Sequence, residues 1–332
     1  MSKDVINCAV VGYGPSFNMG KFHADMISKT SGLKLVAVAD VDESRLEAAK
    51  KDFPGIATYK NVDDLLENKD VDLVTIVTPH NTHAPLALKA LNSKKHVIVE
   101  KPMCITTKEA DEMIKAAKEN NVMLTVFHNR RLDGDFLTLK EIIESGIIGE
   151  VFHIEVFLGG YAHPGHWWRS DKKISGGAMY DWGAHVVDWV LNLVKDEVLD
   201  VSGYFYKLVW NDVTNEDHTE ALIRFKNGVI ANVQISNIAI VQKPRWRILG
   251  TKGGILDIGG GNFKLYVNFQ NRNFETLVGS KKTDYSLFYT NISEHLREGK
   301  ELIVKPEEAR KVIAVIEAAE KSSKVKSPVA LP

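Results

Sequence analysis

Cysteine is nearly absent: 332 residues carry only Cys8 and Cys104. Two thiols cannot build a disulfide framework or a thiolate zinc cluster, and a reducing cytoplasm fits them best. An excess of one charge is lacking too. Lysine and arginine number 42 against 43 acidic residues, a formal net charge of −1, so no global basic field draws in nucleic acid. No apolar run reaches the length that spans a bilayer. The opening MSKDVINCAVV holds no separate signal-type segment, because its apolar part already reads as a strand. No internal repeat or low-complexity linker interrupts the chain. A cytoplasmic protein with neither a membrane nor a nucleic-acid partner is expected. What is present is ordinary globular material, 44% hydrophobic and 26% charged, and the length suggests about two domains.

The first part alternates short apolar runs with amphipathic helices. Strand-like runs are Val5–Val11, Leu33–Ala39, Leu73–Val77, His96–Val99 and Met123–Phe127. Between them lie helical patterns such as SRLEAAKKDF, NVDDLLEN, HAPLALKALNSKK and TKEADEMIKAAKENN. Strands that are apolar throughout and separated by helices imply a parallel sheet covered on both faces. Ligands bind at the edge where its strands end. The rhythm changes near residue 128. A helix at Phe136–Glu144 is followed by strand candidates Val151–Leu158, Leu199–Tyr206, His218–Phe225, Val229–Ser236 and Arg245–Leu249. Several alternate polar and apolar residues, the mark of an antiparallel sheet with one buried face. Asn227-Gly228 reads as a hairpin turn, and a helix over Glu307–Lys321 closes the chain. The expected fold class is α/β: a Rossmann domain with a parallel sheet over 1–127, then an α+β domain over 128–332.

Gly12, Gly14 and Gly20 follow the first apolar run and precede a helical pattern from Lys21. Glycines there let the backbone turn sharply and approach a pyrophosphate at a helix N-terminus. Asp40 ends the second run, where a carboxylate can accept hydrogen bonds from both ribose hydroxyls of NAD. The usual spacing is G-x-G-x-x-G, whereas five residues, Pro15 to Met19, separate Gly14 from Gly20 here. The longer turn brings Ser16 and Asn18 forward as phosphate contacts. Asp40 favours NAD and repels the 2′-phosphate of NADP, which Arg45 would instead attract. Gly259-Gly260-Gly261 imitates such a loop but has no amphipathic helix after it, so a sheet turn is expected.

Two further segments carry chemistry. In VIVEKPMC, Glu100, Lys101 and Pro102 follow an apolar strand directly. A lysine at that edge can donate to a substrate hydroxyl and stabilise charge growing on its oxygen; a lone lysine also reads as a loop residue. In SGGAMYDWGAHVVDWVLNLV, helical spacing puts Asp181, His185 and Asp188 on one face. A carboxylate one turn before a histidine can orient it as a base; the same pattern also describes a capped amphipathic helix.

Taken together, the GxG turn, TPHNTHAPLALKALNSKKHVIVEKP at 78–102, HNRRLDGDF at 128–136, GGAMYDWGAHVVDW at 176–189 and RWRILGTKGGI at 245–255 resemble the Gfo/Idh/MocA oxidoreductases over essentially the whole chain. The resemblance implies a hydride transfer between a secondary alcohol of a sugar, inositol or related polyol and NAD. Under it, Lys101 contacts the reacting hydroxyl and His185, paired with Asp181, takes its proton. Gly12 and Gly14 match the pyrophosphate turn, and Thr78, Pro79 and His83 match the segment lining the nicotinamide side. Glu100 precedes the lysine, and Asn129 and Arg131 match a stretch near the substrate. The second sheet is then the expected surface of a homodimer or homotetramer. Some relatives are NAD-dependent glycosidases that oxidise transiently, and a silent NAD and sugar sensor is a third reading. The intact Lys101, Asp181 and His185 argue against the sensor.

YAHPGHWWRSD at 161–171 carries His163, His166, Trp167, Trp168 and Arg169. The histidines with His185 could make a metal site. The reading adopted is a sugar-binding loop with no metal, in which Trp168 stacks on C–H faces while His163, His166 and Arg169 bond hydroxyls.

Overall fold

The computed structural model describes residues 4–332. Apolar runs and helices alternate as β1 (Ile6–Val11), α1 (Met19–Lys29), β2 (Leu33–Ala39), α2 (Glu43–Asp52), β3 (Ala57–Tyr59), α3 (Val62–Glu67), β4 (Leu73–Ile76), α4 (His83–Asn92), β5 (His96–Glu100), α5 (Thr107–Glu119) and β6 (Leu124–Phe127). All six strands pair in parallel, in the order β3-β2-β1-β4-β5-β6. Every residue of β4 and β6 is buried, as a sheet covered on both faces requires. Local chemistry sets the helix starts. Asp42 accepts from the Ser44 N–H and Asn61 from the Asp63 N–H, while Thr106 and Glu109 form a capping box. Strand order reverses between β1 and β4, so the loops after these strands flank the crevice where such folds bind ligands. The three-residue edge strand β3 has no apolar period and went unseen in the sequence.

The chain continues as α6 (Gly134–Glu144), β7 (Val151–Gly159), α7 (Lys172–Ser175), α8 (Ala184–Leu193), β8 (Val198–Tyr206), β9 (His218–Phe225), β10 (Ile230–Ser236), β11 (Trp246–Gly250), β12 (Gly253–Gly259), β13 (Asn262–Phe269), β14 (Arg272–Gly279), α9 (Ser286–Glu298) and α10 (Pro306–Val325). Eight strands form one sheet, β14-β13-β12-β11-β7-β10-β9-β8. Only β7 and β10 pair in parallel; the other neighbours are antiparallel. Alternation sends Ile154, Val156, Ala221, Ile223, Val233 and Ile248 to the core. Glu155, Glu220, Asn232 and Arg247 lie on the opposite face, exposed or half-buried. Trp189 of α8 stacks on Phe136 of α6 at 6.1 Å and meets Trp246 of β11 at 5.3 Å, which locks both helices over the sheet. The Gly259–Gly261 segment is a turn between β12 and β13, as expected. The strands around it were not anticipated, because β14 is exposed at nearly every position and offers no buried face to read.

The chain groups into two compact units: residues up to His128 with Tyr285–Arg310, and Asn129–Asp284 with Lys311–Pro332. A single cut after residue 127 is thus corrected by a return of the chain. In the first unit Thr125 donates to the Val304 carbonyl at 2.7 Å, and Arg310 pairs with Asp111 at 2.9 Å.

Within the second unit, Arg131 and Asp188 are 7% and 2% exposed. Arg131 Nε and Nη2 reach the two carboxylate oxygens at 2.9 and 2.6 Å. Removing one partner strands the other charge in the core. Arg131→Met is expected to cost about 3–5 kcal/mol of unfolding free energy in a urea titration, and Arg131→Met with Asp188→Leu to recover most of it. Equal losses in the single and double variants would refute this account.

Candidate active site

The glycine turn keeps the packing logic of a dinucleotide cradle despite its length. Gly12 adopts φ +98°, and a Cβ there would fall 2.2 Å from the Val77 carbonyl oxygen. A Cβ on Gly20 would fall 2.3 Å from the Gly12 oxygen, so α1 can approach β1 only with glycine at that position. The added residues form a short 3-10 turn, Ser16–Asn18, with Phe17 and Asn18 in left-handed conformations at φ 56° and 50°. Ser16 is half-buried and Asn18 exposed just before α1, and a Cβ on Gly14 would meet open space. Asp40 accepts the Tyr13 N–H at 2.6 Å and the Asp42 N–H at 2.9 Å, which fixes the carboxylate beside the turn. Arg45 lies 3.9 Å from Asp42 in the first turn of α2. A cradle that a side chain would fill, next to a fixed carboxylate, fits a nicotinamide dinucleotide.

The loop after β4 and the lysine turn are joined from beneath. Thr78 and Pro79 are half-buried. His83 is buried, with Nδ1 2.7 Å from the Pro102 carbonyl oxygen and Nε2 2.8 Å from that of Thr78. Burial pulls this imidazole below its ordinary pKa, against the two carbonyls, which favour protonation. His83 therefore positions Thr78 and the lysine turn. Both of its ring nitrogens face backbone carbonyls. The Glu100 carboxylate likewise turns inward. Oε2 accepts the Lys101 N–H at 2.9 Å, and Oε1 lies 3.0 Å from Nε2 of buried His23. Nδ1 of His23 lies 2.6 Å from the Tyr289 hydroxyl. His23 thus bridges the Tyr289 hydroxyl and the Glu100 carboxylate through its two ring nitrogens. Burial opposes ionisation of Glu100, but His23, Lys101 and His83 outweigh it and hold the carboxyl below its ordinary pKa. Lys101, half-buried, precedes a cis bond to Pro102. The sequence reading missed His23 and Tyr289. His23 was visible as a polar residue on the buried face of α1, three positions after Gly20; Tyr289, on α9, gave no local sign.

In the second unit, a π turn at Met179–Gly183 runs into α8. Such turns, with their wider i→i+5 bonding, recur at functional sites. Asp181 sits in the π turn, and its Oδ1 accepts from Arg169 Nη1 at 2.6 Å. His185 is buried in the first turn of α8. Asp181 thus lies in the π segment, and His185 and Asp188 in the α-helix that continues it. Arg169, expected on substrate, holds Asp181, while its guanidinium lies over the Trp168 ring at 4.5 Å. Arg131, also expected on substrate, is committed to Asp188. Asn129 opens the short turn before it and is half-buried.

His163 and His166 converge on Asp212, at 3.0 and 3.3 Å, making with it the one three-ligand group among the described residues. The Gly165 N–H donates to His163 Nδ1 at 3.0 Å. That puts the ring proton on Nε2, which donates to Asp212. Asp212 is a partner of these histidines that the sequence did not suggest.

The second unit also encloses a cavity of about 380 Å³ that the sequence did not reveal. Arg130, Trp182, Trp189, Asn237 and Arg245 contribute its side-chain walls. Trp182 follows Asp181, and its ring lies 5.8 Å from that of His185.

Residues 6–128 match a family model described as an oxidoreductase family with an NAD-binding Rossmann fold, and residues 136–256 match the GFO/IDH/MocA C-terminal domain. The chain belongs to the GFO/IDH/MocA oxidoreductase family. Within the family, it is 28% identical to the scyllo-inositol 2-dehydrogenase (NADP+) of Bacillus subtilis strain 168, over 99% of this chain and 96% of that enzyme. It is also 28% identical to the scyllo-inositol 2-dehydrogenase (NAD+) of the same strain, over 98% and 96%. A crystal structure of an NAD-binding protein from Listeria innocua superposes with a TM-score of 0.87 at 31% identity, covering 99% of this chain and 97% of that one. The protein is an NAD(P)-dependent oxidoreductase of this family.

The buried carboxylate offers a stability test. A carboxyl held below its ordinary pKa stabilises the fold above that pKa, and the contribution fades as pH falls through the lowered value. Wild type should exceed Glu100→Gln in unfolding free energy near neutrality, with the gap narrowing from about pH 6 to about pH 3. A gap independent of pH would show that Glu100 is not held ionised by His23.

Proposed function

We propose that this oxidoreductase moves a hydride between a secondary alcohol of a sugar, inositol or related polyol and NAD. The observation that carries the reading is the glycine cradle of the first unit, closed to any Cβ at Gly12 and Gly20, with the Asp40 carboxylate fixed beside it. The two Bacillus relatives named above act on scyllo-inositol, which supports the polyol class. When bound, NAD supplies the hydride acceptor. Gly12, Gly14, Gly20 and Asp40 hold it. His185 takes the hydroxyl proton as the carbinol C–H bond breaks, and Lys101 donates to the same oxygen and stabilises its growing charge. Asp181, tied by Arg169, sets the turn from which His185 projects. In reduction His185 returns the proton.

The Bacillus relatives use different cofactors, so the preference for NAD rests on Asp40. Among the described residues no helix is long and apolar enough to cross a membrane, and the cytoplasm is the proposed location. Leu222 and Ile230 lie half-buried beside Glu220 and Asn232 on the outer face of the sheet. That face is proposed to join subunits of a homodimer or homotetramer.

Asp40→Ala should lower the NAD to NADP ratio of kcat/KM by about tenfold or more. Steady-state kinetics with both cofactors test this, and an unchanged ratio removes Asp40 from the ribose.

Lys101→Ala should lower turnover by about a hundredfold and leave NAD affinity, read by fluorescence titration, nearly unchanged. Loss of NAD binding with turnover intact at saturation would assign Lys101 to the cofactor instead. Oxidation should also rise with pH as His185 loses its proton, and reduction should fall. Assays that follow both nicotinamide absorbance and aglycone release separate the dehydrogenase from a glycosidase.

A further inference from the structure

The cavity of the second unit has a chemical bias. Its walls include two guanidiniums, Arg130 and Arg245, and no acidic residue. Each arginine is held from behind. Arg130 Nη1 donates to buried Asp133 at 3.0 Å, and Arg245 Nη1 donates to partly buried Asp135 at 2.9 Å. Neither aspartate is among the lining residues. The recorded bonds engage one nitrogen of each fork. The Arg130 guanidinium also lies 4.7 Å over the Trp182 ring, which fixes its plane.

Hydroxyls both donate and accept, so a neutral polyol needs acceptors on its walls as well as donors. Ser236 and Asn237 add uncharged acceptors, but both charged groups are donors only, and Trp182 and Trp189 keep the surface beside them apolar. A planar guanidinium in such surroundings matches the two oxygens of a carboxylate or phosphate. Trp182 brings this chemistry to within one ring contact of His185.

The geometry points to an anion subsite: Arg130 and Arg245 select a ring polyol that bears a carboxylate or phosphate, with the oxidised alcohol on the same ring. This rests on the dehydrogenase reading above and narrows its substrate class.

The test compares glucose, glucuronate and glucose 6-phosphate at saturating NAD, with myo-inositol and quinate as a second neutral and acidic pair. At least one acid should exceed its neutral counterpart in kcat/KM by about tenfold. That ratio should collapse toward one in both Arg130→Gln and Arg245→Gln, and Arg130→Lys should restore part of it. A preferred glucuronate assigns the carboxylate, a preferred glucose 6-phosphate the phosphate. Each ratio is measured within one variant, so partial misfolding cancels. Neutral compounds oxidised as well as the acids, or a ratio untouched by both arginine variants, would overturn the subsite and leave the dehydrogenase standing. If no compound reduces NAD, thermal shift decides. Glucuronate or glucose 6-phosphate should raise the Tm of wild type and not of the two glutamine variants, and no difference refutes the subsite.

Discussion

A carboxylate placed at the buried end of a parallel strand has to be answered, and the answer organises the first unit. Glu100 sits where β5 ends. His23 reaches it from α1, the backbone N–H of Lys101 closes on its other oxygen, and Tyr289 completes the chain behind His23. Desolvation alone would push the proton back onto Glu100; the surrounding donors and positive charge reverse that. The helix that begins at the glycine turn is thereby bonded to the turn that presents the lysine. Buried His83 packs between the lysine turn and the loop after β4, its ring nitrogens against the Pro102 and Thr78 carbonyls. The helix that follows the glycine turn and the segment that carries Lys101 share one buried polar network, so a change in either is felt by the other.

The second unit meets the same demand with an ion pair. Arg131 and Asp188 neutralise each other inside the packing of α6 and α8, and the Trp189 indole N–H donates to the Arg130 carbonyl beside them. That anchors the short turn carrying Arg130 and leaves this side chain to line the cavity. Neighbouring arginines thus divide the work: Arg131 is spent on the fold, while Arg130 keeps donors for a ligand. On the helix itself, the π turn performs a similar division. Asp188 faces the core, and Asp181 is displaced toward Arg169.

These divisions explain what was legible. Both sheets, the parallel first one and the mostly antiparallel second one, follow from apolar runs and alternation, and the strands with one clean buried face were placed to within a residue or two. Strand β14, exposed on both faces, left no trace in the pattern. The return of residues 285–310 to the first unit rests on long-range contacts such as Thr125 with Val304, which no local window contains. Residue types with strong chemistry were found readily, but their partners were not. His83 and Glu100 carry the right chemistry and point inward; Arg169 and Arg131 carry positive charge and spend it on aspartates. A sequence names the groups able to bind, and only packing tells which are already bound.

The lengthened phosphate turn shows which part of a motif is physical and which is habit. The spacing departs from G-x-G-x-x-G, yet the contact that the last glycine exists to permit is retained. Gly20 still lies against the Gly12 carbonyl, with no room for a Cβ. The added residues are extruded as an outward turn, exposing Phe17 and Asn18 and accepting left-handed backbone at both. Left-handed conformations cost a bulky residue such as Phe17 more than an asparagine, and the strain falls outside the cradle. What such a turn has to preserve is the helix-to-strand approach that Gly20 permits. The count of residues between the glycines is then free to vary, provided the excess leaves the sheet edge clear.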